Sequence, residues 1–383
     1  MPRLLVAAAV LGLALPAAAQ PPPSQVGSFL ADAGPVGIYP VADGLMHPWG
    51  MAVLPDGRML VTERAGRLRI VDPSASGPPA TVSGTPTVYA QGQGGLLDVA
   101  LAPDFAETGH VYLSFARPGP GGQAATALGR GVLRGDSLAA FETLFTQEPY
   151  VEGPAHFGSR IVFSPDGHLF LAMGERFQFD PAQDLGNHLG TVVRLNPDGS
   201  VPDDNPFTGD ASAQDEIWSY GHRNIQAAAF DPTDGRLYVA EMGPLGGDEL
   251  NVVERGANYG WPVVSWGMDY DGELIPDPPT RPEFEDAVVQ WTPTIAPSGM
   301  VYYTGAAFPE WQGSFFIGSL VYQGLVRVRV EGGEVAAQQI LPLGARIREV
   351  EQGPDGTLFV LTDKDDGDVW QLRPIETRRP ENE

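Results

Sequence analysis

The sequence predicts an all-β chain folded as a six-bladed β-propeller of four-stranded antiparallel sheets. One phrase carries the reading: an apolar stretch, a Pro-Asp-Gly type turn, then a strand rich in leucine, valine and aromatic residues. It recurs six times in 383 residues. Its apolar residues alternate at period two between glycine and proline punctuation, the pattern of short antiparallel strands joined by tight turns. The repeat spacing lies somewhat above the usual propeller range, which points to a radial array with long connecting loops.

The copies follow in order. GMAVLPDGRMLVTER occupies 50–64, DVALAPDFAETGHVYLSFA 98–116 and RIVFSPDGHLFLAMGER 160–176. AAAFDPTDGRLYVAEMG occupies 227–243, the looser GMVYYTGAAFPEWQGSFFIGSL 299–320, and REVEQGPDGTLFVLTDK 348–364. Further strands lie between them at 66–72, 191–196 and 325–330. In each turn proline presets φ and glycine accepts a positive φ, so Asp56, Asp166, Asp198 and Asp355 are read as turn residues. The insertions at 177–189 and 269–291 are expected to form loops on one face of the ring, where a site can be built on a rigid scaffold.

Ahead of the repeats, MPRLLVAAAVLGLALPAAAQ combines a basic start, an apolar run and a small-residue Ala-Ala-Ala cleavage signal. It reads as a secretory signal peptide at 1–19, too short for a membrane span. An extension at 20–38, one propeller domain at 39–375 and a tail at 376–383 complete the expected organisation. Cleavage removes one of 23 basic side chains and none of the 48 acidic ones, leaving a net charge of −26. Such a surface repels nucleic acid and anionic membranes. Cysteine is absent, so the fold rests on its core without disulfides, in a periplasmic or secreted setting that would allow them. The chain is expected to act as a monomer or homodimer.

The densest polar stretch is EIWSYGHRNIQAAAFDPTDGRLYVAEMGPLGGDELNVVERGANYGWP (216–262). Gly243 and Pro244 form a turn that can aim two backbone carbonyls at one hard cation, and Glu249, Tyr259 and Asp269 offer a second oxygen-rich set. On spacing alone, a hairpin turn followed by a solvated acidic pair is the better account of these residues. Arg223 and Asn224 follow His222 at a loop-to-strand junction. Arg346 and Arg348, two apart, face the same way on a strand. Convergent arginines suit a ligand carrying several carboxylates, although surface salt bridges explain each one singly. His156 precedes the third repeat and can take a proton from a hydroxyl; Gln93 holds the matching junction before the second. His47, His110, His168 and His188 are read as structural or surface residues.

Taken together, HPWGMAVLPDGRMLVTER, GQGGLLDVALAPDF, HFGSR, DLGNHLGTVVRLNPDGSVPDDNPF, EIWSYGHRN, GPLGGDE and NYGWP resemble the soluble PQQ-dependent aldose sugar dehydrogenases of the glucose/sorbosone dehydrogenase family. The resemblance runs in order across nearly the whole mature chain. It implies a six-bladed propeller that binds pyrroloquinoline quinone (PQQ) and Ca2+ and oxidises the C1 hydroxyl of aldose sugars to lactones, passing electrons to an external acceptor. By the same resemblance His156 is the general base. Arg223 and Asn224 contact the cofactor, with the arginine also stabilising developing charge. Arg346, Arg348 and Gln93 complete the cofactor-contacting set, Gly243 and Pro244 hold the cofactor's calcium, and Glu249, Tyr259 and Asp269 bind a second ion. The chain departs from the pattern at Val321, where relatives carry a cofactor-contacting lysine, and at Ala155 and Ile225. Rival readings are a calcium-dependent lactonase and a non-catalytic propeller that binds carbohydrate or protein.

Overall fold

The computed structural model describes residues 24–375 except 76, 271, 273, 274 and 276–278. The leader and the 376–383 tail lie outside the described residues. Six antiparallel sheets form a ring. The first is built from Pro48–Val53, Met59–Glu63, Arg67–Val71 and Ala80–Val82; the second from Leu96–Leu101, His110–Pro118, Ala124–Arg134 and Ser137–Thr146. The third holds Gly158–Phe163, Leu169–Met173, Val192–Leu195 and Ile217–Ser219; the fourth holds Ile225–Phe230, Leu237–Glu241, Asp248–Val253 and Val289–Trp291. Pro297–Tyr303, Ser314–Ser319, Gly324–Glu331 and Glu334–Pro342 make the fifth. Each copy of the repeated phrase supplies the two inner strands of one blade.

The sixth blade is completed from the other end of the sequence. Ile347–Gln352, Leu358–Thr362 and Gly367–Pro374 are joined by Gly34–Leu45, which pairs antiparallel with Gly367–Pro374. Gly27–Ala31 adds a fifth, outer strand, so one sheet exceeds four strands. Residues 27–38, read from sequence as an extension, are therefore strands of this blade. Innermost strands of neighbouring blades touch all round the ring, the sixth meeting the first.

The turns form as their residues dictate. Leu54 N–H donates to the Arg58 carbonyl at 2.8 Å across a turn in which Gly57 takes φ +86°, and the Asp56 carboxylate accepts from Arg58 N–H at 3.1 Å. Asp355 does the same for Thr357 N–H at 3.0 Å. Among the described residues the core forms seven apolar clusters, six of them lying one between each pair of adjacent blades and a seventh joining Trp49, Leu97, Ala116, Ala124 and Phe157. Between the fifth and sixth, Trp311 is fully buried and stacks on Phe308 at 4.1 Å between ring centroids. Burying such a side chain contributes roughly 1.5–3 kcal/mol, which fixes the angle between blades and hence the positions of side chains at the ring's centre.

Candidate active site

The second strands of all blades end on one face of the ring, and in four blades an acid stands at or just past that end. Each binds a basic partner. Glu63 accepts from Arg67, Glu175 contacts His156, Glu241 contacts His222, and Asp363 accepts from both Arg346 and Arg348. In each of these four blades a carboxylate thus holds an imidazole or a guanidinium in place.

His156 is 5% exposed, and its Nδ1 lies 2.7 Å from Glu175 Oε1. It adopts φ +51°, a left-handed conformation that costs a non-glycine residue energy and persists only when its surroundings impose it. Those surroundings are visible: its N–H donates to Gln93 Oε1 at 2.8 Å and its carbonyl accepts from Arg176 N–H at 3.1 Å. Gly174 lets this segment lie close, since a Cβ there would stand 2.3 Å from the His156 carbonyl. Burial lowers the imidazole pKa; Glu175 opposes the shift, and Arg223 and Arg176 reinforce it. The side chain is thus a neutral base at neutral pH. Phe177 packs edge-on against it at 4.9 Å, and Tyr270 from the fourth-blade insertion stands 6.3 Å from Phe177. The two long insertions therefore meet beside the histidine.

Next to it lies a cavity of about 510 Å³. Gln93, Asn224, Arg346 and Arg348 line it, as do Phe157 and Gly158 immediately after the histidine. Asn224 Oδ1 accepts from Gly158 N–H at 3.3 Å and from Gln226 Nε2 at 3.1 Å. Arg346 and Arg348 converge as their spacing requires, Nη2 of each reaching Asp363 at 2.6 and 3.0 Å. Burial would raise the Asp363 carboxyl, but Arg348 and Arg346 hold it below its ordinary value.

Arg160 is buried over the Trp49 ring at 4.1 Å and bonds the carbonyl of Gln226, which lines the cavity, at 2.6 Å. Beyond it, a second cavity of about 250 Å³ is lined by Asp98, Glu349 and Glu351. Arg160 pairs with Asp98 at 3.2 Å and with Glu349. Burial pushes Glu349 up to about 7, against the pull of Arg160, and pushes Glu351 well above its usual range, reinforced by Glu349.

Arg223 turns away from the large cavity. Its Nη1 donates to the carbonyls of Met242 at 2.9 Å and Gly243 at 2.8 Å, and Nη2 donates to the Tyr270 hydroxyl at 3.0 Å. It lines a small cavity of about 20 Å³ shared with Glu241, Gly243, Glu249 and Tyr259. Glu249 is pushed up to about 8 by burial and by Glu241. Asn251 Nδ2 bridges the two carboxylates at 3.1 and 3.0 Å. The Tyr259 hydroxyl is engaged by the backbone of Val252 and Glu254. Pro244 packs against Gly267, and the Asp269 carboxylate accepts from Tyr270 N–H at 2.6 Å; neither lines the small cavity.

Several residues here escape the sequence reading. Glu175 was legible only by aligning the repeats, where an acid recurs after the second strand. Arg64, Lys364 and His47 line the large cavity, and His47 lies 3.3 Å from Asp365. Val321 is half exposed beside cavity-lining Leu320. Arg176 is fully buried with its donors on backbone carbonyls, and the cation next to Val321 is Arg346, whose Nη1 donates to the Leu320 carbonyl at 3.3 Å.

The glucose/sorbosone dehydrogenase family description matches residues 45–371. The aldose sugar dehydrogenase YliI of Escherichia coli is 43% identical over 348 residues, covering 88% of this chain and 93% of that one. Among solved structures, the soluble aldose sugar dehydrogenase from Escherichia coli in its apo form superposes with a TM-score of 0.85 at 43% identity, covering 89% of this chain and 100% of that chain. The PQQ-bound aldose sugar dehydrogenase from Streptomyces coelicolor superposes at 0.75 with 31% identity, covering 88% and 98%. The match spans all six blades, and the chain belongs to the glucose/sorbosone dehydrogenase family.

Proposed function

We propose that this protein is an exported quinoprotein dehydrogenase that oxidises the C1 hydroxyl of an aldose to the lactone, with PQQ and Ca2+ as cofactors and an external electron acceptor. One observation carries the reading: a buried imidazole, oriented by a carboxylate, immediately precedes Phe157 and Gly158, which line a cavity with cations and amides. The PQQ-bound relative supports the choice of cofactor.

The donors present suit a quinone bearing carboxylates. Arg64, Arg346, Arg348 and Lys364 face the large cavity, and among the described residues the buried Nε atoms of Arg64 and Arg223 have no partner. For calcium, two successive carbonyls at the 242–243 turn already converge on a positive charge, that of Arg223. Gly243 and Pro244 would hold the ion, in competition with Arg223 for the Gly243 oxygen. Glu249 and Tyr259, with Asp269 from the insertion, would take a second ion, in a cavity of on the order of one water's volume. When bound, the quinone accepts the hydride and calcium acts on it as a Lewis acid.

The chain's own residues supply the rest. With its Nδ1–H directed at Glu175, His156 leaves Nε2 free to take the proton of the anomeric hydroxyl, and Glu175 stabilises the imidazolium that results. Arg346 and Arg348 hold carboxylates while Asp363 fixes their planes. Phe177 and Tyr270 give the pyranose an apolar wall and shield the base from water. The decisive experiment reconstitutes purified protein with PQQ and calcium and assays dye reduction with a panel of aldoses. Absence of both cofactor binding and sugar-dependent dye reduction would refute the assignment. Export is tested separately, by looking for the leader-processed chain outside the cytoplasm.

A further inference from the structure

We infer that Arg176 is a positioning residue for His156: through three backbone carbonyls, the Phe157 ring and its own main-chain N–H it clamps the segment that carries the imidazole. This rests on the reading of His156 as the base.

The geometry is unusual for an arginine. Arg176 is fully exposed to protein and none of it to solvent, and among the described residues its guanidinium meets no carboxylate within ion-pair distance. Nε donates to the Ala155 carbonyl at 2.9 Å, Nη1 to the Ala124 carbonyl and Nη2 to the Gly153 carbonyl. The guanidinium carbon lies 3.6 Å from the centroid of the Phe157 ring. Two of the three carbonyls, and the ring, belong to the segment 153–157. From the same residue the main-chain N–H bonds the His156 carbonyl at 3.1 Å. Arg176 and its neighbour Phe177 both take φ +60°. A strained arginine thus holds a strained histidine, from both main chain and side chain.

Burying a guanidinium without an anion is costly, and its desolvation lowers Arg176 to about 10. What the charge does is visible at its neighbour. The charged groups facing the imidazole are Glu175 at 2.7 Å, Arg223 and Arg176. Glu175 alone would favour the imidazolium, which cannot act as a base. Burial is the main influence that lowers the imidazole against Glu175, and Arg223 and then Arg176 add to it.

The test uses the mature full-length chain as Arg176→Met, Arg176→Gln and Arg176→Lys, each checked for a cooperative melt. In cofactor-free protein, the His156 ring is titrated by NMR, its signal assigned by loss in His156→Ala. Sugar-dependent dye reduction is measured after loading with PQQ and calcium. Arg176→Met and Arg176→Gln are expected to raise the imidazole pKa and to lower kcat roughly ten- to hundredfold, with the sugar KM within about twofold. Arg176→Lys should keep the imidazole pKa, because the charge remains, yet lose kcat because one ammonium cannot bridge three carbonyls. A neutral variant that folds and titrates like the parent overturns the charge role. If neither neutral variant folds, Arg176→Lys decides the clamp: parental kcat overturns it. Should the parent show no sugar oxidation at all, the assigned reaction fails while the titration still judges Arg176.

Discussion

Two cavities lie along the axis of the ring, separated by one guanidinium, and they are opposite in charge. The larger is lined by Arg64, Arg346, Arg348 and Lys364, with Asp363 and Asp365 as its acids. The smaller gathers Asp98, Glu349 and Glu351 around the single cation Arg160. The first can hold an anion, whereas the second holds protons, since burial keeps part of its carboxylate set neutral. A protein carrying a formal net charge of −25 thereby presents a local positive pocket. Arg160 bonds backbone or side chains of both regions and so fixes the boundary between them.

The sharpest way to break this contrast is to disable the large cavity chemically. His156→Ala should lower kcat by about two to four powers of ten with PQQ still bound, read by dye reduction beside a binding titration; parental turnover would show the base to be elsewhere. Arg348→Ala should weaken PQQ binding about ten- to a hundredfold, the loss of a charged hydrogen-bond set. Glu351→Gln, on the acidic side, should leave that affinity unchanged. Equal effects from the two would erase the distinction.

The acidic cavity makes its own prediction through pH. Glu349 is about 7 in the folded protein against a usual 4.5, so between those values the folded state keeps a proton that the unfolded chain has released. Its contribution is complete below pH 4.5 and is lost as pH rises through 7. Thermal melts at pH 5 and 8 should therefore show a fall that Glu349→Gln reduces by ~3 °C; an undiminished fall assigns the dependence to other groups. Smallest is Val321→Lys, which should tighten PQQ binding no more than severalfold, about 1 kcal/mol, because Arg64 and Lys364 already face the cavity.

The repeats were legible because their turns are local: Pro-Asp-Gly and period-two alternation act over a few residues, and six phrases became six blades. Arg346 and Arg348 meeting on one carboxylate also followed from spacing. Other features depend on ring closure. Nothing near Gly34 announces that it will pair beside Gly367–Pro374. Lys364 and Arg64 reach the same cavity from different blades. Arg223 illustrates the remaining gap: its position beside Asn224 predicts a shared target, yet the strand geometry sends one side chain to the Gly243 turn and the other to the large cavity.

The pairing of Gly34–Leu45 with Gly367–Pro374 also sets an order of events during biosynthesis. The arginine pair lies on the sixth blade, and His47 follows directly on the strand that completes it. A nascent chain that has not yet emerged past residue 374 lacks the partner for its own early strand, and the contacts it must make span nearly its whole length, the costliest kind to close. If the proposed cofactor is bound, its loading would therefore follow synthesis and ring closure.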